Sequence, residues 1–212
     1  MTDGFIKHSP AFRFRRILNW FPMGITSALL YMGRYNLTVA KNALGNLMTK
    51  EEFGLIFGVG AVVYAFSFLI NGPLVDRIGG KKGILISALG AGAMNLCMGL
   101  YLHYVLSLSN PANAPLSLVY TILYALNMYF QSYGAVSIVK VNAHWFHVRE
   151  RGVFSGIFGI MIASGIFLAF DVTGRILGSP LVKGQGFEGG DALWWDFLSP
   201  AILLFVFFLM EV

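Results

Sequence analysis

An arginine lies in the middle of an otherwise apolar stretch, LLYMGRYNLTVAKNAL, at residues 29–44. It belongs to a polar stripe whose members are spaced by four, three, four and three residues: Ser27, Tyr31, Arg34, Thr38 and Lys41. This spacing places them on one face of a helix. A charge at the centre of a bilayer costs at least ~2.5–3.5 kcal/mol, so we expect this face to line a watery cavity. A guanidinium matches the planar geometry of phosphate and carboxylate oxygens, so the stripe predicts an anion-binding site.

The alternative for Arg34 is a permanent ion pair with a carboxylate inside the protein. The apolar segments contain almost no acid: Asp76 lies in a turn, and Asp171 and Glu211 lie at segment ends. An intramembrane cation without an internal partner favours an anion that comes from outside. Contact with a substrate is therefore the preferred interpretation, and a structural ion pair is the alternative.

The fourth apolar segment has a second polar face with the same spacing: Tyr120, Tyr124, Asn127, Gln131 and Gly134. These side chains could donate hydrogen bonds to a polar substrate from across the cavity. Asn and Gln also hold membrane helices together, typically for under ~1 kcal/mol per bond. The sequence leaves both interpretations open.

The composition is that of a membrane protein. Hydrophobic residues make up 57% of the chain and charged residues 12%, with a mean hydropathy of +0.69, whereas soluble domains average about 25% charged residues. A membrane-spanning helix needs roughly 20 mostly apolar residues. We predict an all-α integral membrane protein with a short N-terminal segment, 1–16, and a six-transmembrane-helix bundle, 17–212. The predicted spans are 17–40, 53–73, 84–106, 116–139, 153–170 and 197–212.

The basic residues predict the orientation of the bundle. Most lie in the N-terminal segment and in the second and fourth linkers: Lys7, Arg13, Arg15, Arg16, Arg77, Lys81, Lys82, Lys140, Arg149 and Arg151. The positive-inside rule then places both termini in the cytoplasm. The predicted location is the cell membrane, as a multi-pass protein of a bacterial inner membrane. A net charge of +5 does not indicate nucleic-acid binding here, because the basic residues form short clusters between apolar runs.

The second linker, NGPLVDRIGGKKG at 71–83, has a distinctive order of residues. Asp76 and Arg77 end one helix, and Gly79 and Gly80 allow a tight reversal. An acid and a base beside such a turn can lock neighbouring helices by a charge-assisted hydrogen bond. The alternative is a turn whose charges only set the topology.

This linker resembles the signature G-x-L-x-D-R-x-G-R/G-K/R-K/R of the major facilitator superfamily. The resemblance implies a fold of two six-helix halves with the substrate bound between them near mid-membrane, this chain corresponding to the N-terminal half. It also implies that the turn 149–152 engages the Asp-Arg turn in one conformation, with Asp76 and Arg151 setting the balance. The predicted gating residues are Gly72, Asp76, Arg77, Gly79, Gly80, Lys81, Arg149, Glu150 and Arg151.

The stretch YMGRYNL resembles the first helix of the organophosphate:phosphate antiporter family, which exchanges glycerol or sugar phosphates for inorganic phosphate. In that family an arginine in a Y-x-x-R-x-N-[FL] pattern binds the phosphoryl group, and Arg34 occupies that position here. Further matches are Tyr64 in VVYAFSF, the residues Phe130, Gln131 and Gly134, and HWFHVRERG at 144–152. The chain departs from the family where it has Phe68 in place of a lysine, Ala135 in place of a tryptophan and Ile162 in place of a histidine. Lys41 is predicted to replace part of the lost positive charge.

The predicted function is secondary active transport of a small organic or phosphorylated anion by alternating access, with exchange for phosphate as one mode. The predicted substrate-binding residues are Tyr31, Arg34, Thr38, Lys41, Tyr64, Asn127 and Gln131. The alternatives are a porter of the superfamily for a carboxylate, sugar acid or nitrate, and a non-transporting assembly or sensor subunit derived from a transporter.

An enzyme is not expected, because no paired carboxylates or nucleophile–base pair share a face. No cofactor or metal is expected either, since His144 and His147 lack a third ligand. The expected partners are a small anionic substrate, the lipid bilayer, and a missing C-terminal six-helix half or a second copy; no nucleic acid is among them.

Overall fold

A computed structural model describes residues 9–178 and 193–212, and every element in these ranges is helical. Six helical segments follow one another along the chain. They are α1 (Pro10–Leu44), α2 (Lys50–Ile78), α3 (Gly80–Leu106), α4 (Leu116–Trp145), α5 (Arg151–Phe167) continuing into α6 (Thr173–Gly178), and α7 (Trp195–Glu211). Short 3₁₀ turns at Gly45–Leu47 and Pro111–Asn113 precede α2 and α4.

Local sequence signals account for several helix ends. Ser9 caps α1 by accepting a hydrogen bond from the backbone N–H of Phe12, with Pro10 at the first helical position. Thr49 and Glu52 form a reciprocal capping box at the start of α2. Gly79 has φ +92°, a conformation that favours glycine, and it separates the end of α2 from the start of α3 at the next residue.

The helices pack as a bundle in which α3 contacts α4 and α7, α2 contacts α4, and α1 contacts α5 and α7. The basic end of the bundle is the end where α1 and α5 begin, α2 and α4 end, and α7 ends. It carries the clusters of Arg and Lys that the sequence predicts to be cytoplasmic. A hydrophobic core at the opposite end includes Leu37, Met48, Ile56, Met98 and Leu102, each at most 1% exposed.

The fifth segment is longer than predicted. Its helix does not end at residue 170, because a five-residue π-helical turn, Leu168–Val172, leads directly into α6. A single wide turn of this kind lets a helix continue with a shifted face. The linker predicted at 171–196 is therefore partly helical, and its centre lies outside the described residues. Trp194 packs against the His103 ring, with centroids 5.0 Å apart.

Three of the described helical stretches are long and apolar enough to cross a membrane by themselves: Lys50–Ile78, Gly80–Leu106 and Arg151–Arg175. α7 is 17 residues long and has a mostly apolar sequence. α1 is much longer, with 35 residues, and carries the polar stripe described above.

Glycines allow close helix contacts at two crossings that position the polar stripe. Gly165 of α5 lies directly against the backbone carbonyl of Ala28 in α1, where no side chain would fit. Gly134 of α4 faces Leu30 of α1 and Ser87 of α3, and an added Cβ would lie 2.8 Å from each side chain. These contacts bring α4 alongside the middle of α1, so that Gln131 lies within reach of Arg34.

Candidate functional site

Arg34 lies half-buried between α1 and α2, over two aromatic rings. The guanidinium carbon is 4.7 Å from the ring centroid of Tyr31, one turn earlier on α1, and 4.5 Å from that of Tyr64 on α2. Ring faces carry negative electrostatic potential, so each ring stabilises the cation. The side chain is therefore held inside the bundle at the middle of α1.

The guanidinium of Arg34 has a neutral hydrogen-bond partner. Its Nε donates a hydrogen bond to Oε1 of Gln131 at 2.9 Å. Within residues 9–178 and 193–212, Nη1 and Nη2 make no hydrogen bond and no carboxylate forms an ion pair with Arg34. A structural ion pair, the alternative for this residue, is thus not found in the described part of the chain. The amide orients the guanidinium without neutralising its charge.

Gln131 belongs to a chain of buried amides that crosses three helices. Its Nε2 donates to Oδ1 of Asn127 at 3.2 Å, and Nδ2 of Asn127 donates to the backbone carbonyl of Gly33 at 3.3 Å. Nδ2 of Asn95 on α3 also donates to Asn127, at 3.4 Å, and Nδ2 of Asn36 on α1 donates to Oδ1 of Asn95 at 2.9 Å. The network ties α1, α3 and α4 together directly behind Arg34.

The amides of this network are buried. Asn127 has no exposed surface and bonds to Gln131, Asn95 and the carbonyl of Gly33. Tyr120 and Tyr124 are also fully buried, and their hydroxyls donate to the carbonyls of Met98 and Arg34. In this structure the polar face of α4 reaches the guanidinium through Gln131.

Thr38 and Lys41 continue the stripe beyond Arg34, and both side chains are half-buried. Ser27, at the other end of the stripe, is buried and donates to the carbonyl of Met23 in its own helix. The half-exposed part of the stripe therefore runs from Tyr31 to Lys41.

Sequence reasoning did not anticipate Asn36 and Asn95 as supporting residues, or Tyr35 and Phe57 as part of the ring cluster. Tyr31 stacks on Tyr35 at 6.4 Å, and Tyr35 contacts Phe57 of α2 at 6.3 Å. Asn95 is the single amide in the apolar run GAGAMNLCMGL, and this isolation is a signal for a buried hydrogen bond.

Asp196, one residue before the predicted sixth span, lies in the first turn of α7 and is fully buried. Its backbone carbonyl accepts a hydrogen bond from Asn36 at 3.3 Å, and in the described residues it forms no ion pair with Arg34.

At the basic end, Asp76 forms an ion pair with Lys140, and Arg151 has other partners. Nζ of Lys140 lies 3.0 Å from Oδ1 of Asp76 and donates to the carbonyls of Val75 and Asp76 at 3.1 and 2.7 Å. Arg151 donates instead to the carbonyls of Ala143 and Phe146 at the end of α4. The reason is position: Lys140 leaves α4 beside the end of α2, whereas Arg151 opens α5 next to the free C-terminal carbonyls of α4.

The other predicted gating residues occupy the same end. Glu150 forms an ion pair with Arg16 of α1 at 3.1 Å. Lys81 donates to the backbone carbonyl of Val212 at 3.1 Å, and Arg77 and Arg149 are exposed. Gly80 packs against Val141 of α4, while an added Cβ at Gly72 would meet nothing within 4 Å.

The fold and the charged turn define a class of membrane transport protein. The chain belongs to the Major Facilitator Superfamily, whose family model matches residues 23–211, and it is a multi-pass membrane protein. The family match confirms the predicted resemblance and the six-helix half of that fold. This membership fits a non-enzymatic protein at the level of the family.

The curated relatives are named for phosphorylated solutes or for sensing. Putative glycerol-3-phosphate transporters 3 and 1 of Arabidopsis thaliana are 26% and 25% identical over 67% and 68% of this chain, and over 24% of each relative. The membrane sensor protein UhpC of Salmonella typhimurium is 24% identical over 59% of this chain and 26% of its own length. The chain thus matches about a quarter of the length of these relatives. No solved structure matches it significantly.

Proposed function

We propose that this chain forms one wall of the substrate cavity of a secondary transporter for a small organic or phosphorylated anion. The observation that carries the proposal is Arg34, whose terminal nitrogens have no partner in the described residues. A guanidinium held this way offers parallel N–H donors to phosphoryl or carboxylate oxygens. The similarity to glycerol-3-phosphate transporters favours the phosphoryl group.

Three contacts prepare Arg34 for this role. Gln131 fixes Nε at 2.9 Å, which sets the direction of the two terminal nitrogens. The rings of Tyr31 and Tyr64 stabilise the cation while no anion is bound. Thr38 and Lys41 extend the same face and supply a hydroxyl and a second cation along the path of the solute. Binding therefore needs little rearrangement of the wall.

Alternating access requires a second wall. We propose that a C-terminal six-helix half or a second copy of the chain completes the cavity, with rocking of one bundle against the other exposing the site alternately to each side. Exchange for phosphate is one coupling mode. Both termini are proposed to lie in the cytoplasm and the bundle in a bacterial inner membrane, as the distribution of Lys and Arg favours.

The basic end is proposed to act as the gate. The contact of Lys140 with Asp76 joins the ends of α2 and α4, and Arg16 with Glu150 joins α1 to the linker before α5. Rearrangement of these contacts would accompany the change of access, together with Gly72 inside α2, the turn at Gly79 and Gly80, and the exposed Arg77, Lys81 and Arg149.

The test is direct binding of inorganic phosphate and glycerol 3-phosphate to the purified chain in lipid nanodiscs. Arg34→Gln should lower affinity by about 100-fold, because a hydrogen bond to a charged group contributes about 1.5–3 kcal/mol and tenfold is about 1.4 kcal/mol. Arg34→Lys keeps the charge and loses the planar fork, so about a tenfold loss is expected. Arg13→Lys, exposed on the same helix, is the control. Normal binding by Arg34→Gln would contradict the proposal.

A sensor is the second candidate, favoured by the similarity to the membrane sensor protein UhpC. A sensor would bind the same anions through Arg34 and would not move them. Uptake of labelled glycerol 3-phosphate into proteoliposomes made with the full-length protein separates the two candidates. Binding that depends on Arg34 without uptake would favour the sensor.

A further inference from the structure

The side chains that contact the guanidinium of Arg34 include two aromatic rings, those of Tyr31 and Tyr64. Tyr64 contacts Phe68 on the next turn of α2, with ring centroids 5.9 Å apart. Phe68 is 39% exposed and carries no polar atom on its side chain. We call five rings the aromatic wall. Tyr31 and Tyr64 contact the guanidinium, Tyr35 and Phe57 extend the wall from Tyr31, and Phe68 extends it from Tyr64.

The spacing of the aromatic residues along α1 and α2 produces the aromatic wall. Phe57, Tyr64 and Phe68 are separated by seven and four residues, so they share one face of α2. Tyr31 and Tyr35 are separated by four on α1, on either side of Arg34. The face of α2 opposite the stripe thus presents ring surface at several successive turns.

Charge near the site is sparse. On the stripe, the next cation after Arg34 is Lys41, which is seven residues and about 10 Å further along the helix axis. Ring faces carry negative potential and do not stabilise a second anionic group. A solute in this site would therefore place one anionic group on Arg34 and apolar surface against the rings.

We infer that the transported solute is a phosphate monoester with a flat aromatic body, rather than inorganic phosphate or a short polyol phosphate, and that Phe68 determines this selectivity. The inference rests on the proposed function, since it assumes that Arg34 binds the phosphoryl group. The phosphoryl oxygens take the terminal nitrogens of Arg34, and the body stacks on Phe68 and Tyr64. Offset or edge-to-face contacts of rings add to the burial of apolar area.

The experiment is calorimetric titration of the full chain in nanodiscs with inorganic phosphate, glycerol 3-phosphate and phenyl phosphate. Phenyl phosphate should bind at least about tenfold more tightly than glycerol 3-phosphate, because its ring buries apolar surface that a polyol lacks. Phe68→Ala should reduce this preference to under about threefold and leave the affinity for inorganic phosphate within about twofold, since Phe68 touches only the body. Leu69→Ala is the control, because Leu69 is 73% exposed and follows Phe68 directly on α2.

Phe68→Lys is a second variant that tests the role of Phe68 in the same titrations. It adds a cation beside the site, so the preference should reverse, with inorganic phosphate gaining about tenfold over the wild type. Phenyl phosphate binding no more tightly than glycerol 3-phosphate, while Arg34→Gln weakens both, would overturn this inference and leave the proposed function intact. If Arg34→Gln bound each of the three anions as tightly as the wild type does, both the proposed function and the inference would be overturned.

Discussion

Charged side chains have different kinds of partner at the site around Arg34 and at the basic end of the bundle. At the site, a half-buried guanidinium contacts two rings and an amide, and no carboxylate in the described residues neutralises it. At the basic end, Asp76 pairs with Lys140 and Glu150 with Arg16. Two acids of the basic end thus have basic partners, whereas no carboxylate of residues 9–178 or 193–212 pairs with Arg34.

The difference fits the proposed function of each region. An exposed ion pair contributes about 0–1 kcal/mol, so it can form and break as the conformation changes. A cation in the membrane interior is costly without a partner, and that cost favours binding of an anion that then leaves again. A permanent carboxylate beside Arg34 would compete with the solute. The neutral Gln131 gives orientation and leaves the charge available.

Introducing a carboxylate beside Arg34 should have the largest effect on anion affinity. Gln131→Glu places an anion on Nε of Arg34, where Oε1 now lies at 2.9 Å. The internal ion pair then competes with the solute, and we expect anion affinity to fall by about 100-fold, the scale of a charged hydrogen bond. Titration of the variant in nanodiscs with phosphate and glycerol 3-phosphate measures this affinity.

Gln131→Leu is the matched control at the same position. It removes the amide without adding charge, so Arg34 loses its orientation and keeps its cation, and about a tenfold loss is expected from one hydrogen bond. Equal losses for the Glu and Leu variants would mean that the charge of Arg34 is not what binds the anion.

Much of this arrangement was accessible from the sequence because it depends on local patterns. The spacing of Tyr31, Arg34 and Thr38 fixes a shared helix face, and apolar length fixes the number of helices. Gly79 was predicted as a turn, and its φ of +92° agrees with that prediction. Such features need only neighbouring residues.

Features that depend on how helices meet were not accessible. Tyr64 was predicted as a site residue from the family resemblance, but its contact with the guanidinium thirty residues away depends on how α2 lies beside α1. The pairing of Asp76 with Lys140 was not predicted, because sequence does not reveal how far α4 extends past the end of α2. The buried position of Asp196 also depends on contacts between α7 and α1.

Breaking the pair at the basic end should have a moderate effect on conformation and little effect on the site. Asp76→Asn and Lys140→Met should each shift the balance between the two access states by about three- to fivefold, because the pair is largely exposed and contributes less than about 1 kcal/mol. The side chains of Lys140 and Asp76 are 33% and 74% exposed. Thiol labelling of a cysteine introduced at the basic end of the full-length protein measures the shift.

The double variant should shift the balance no further than Lys140→Met alone, since Lys140→Met already removes the contact with the Asp76 carboxylate as well as two hydrogen bonds to backbone carbonyls. Lys82→Met, an exposed neighbour, is the control. Additive shifts would show that Asp76 and Lys140 act independently and that their contact is not part of the gate.

Removing the second cation of the stripe should have the smallest effect. Lys41 lies about 10 Å beyond Arg34 along the helix, so it acts at a distance comparable to the screening length of physiological salt. Lys41→Met should lower phosphate affinity by about two- to threefold at low salt and by less at higher salt, the behaviour of a screened charge. Lys50→Met, exposed at the start of α2, is the control with the same change of charge. A loss as large as that of Arg34→Gln would mean that Lys41 contacts the anion directly, and the single-cation character of the site would no longer hold.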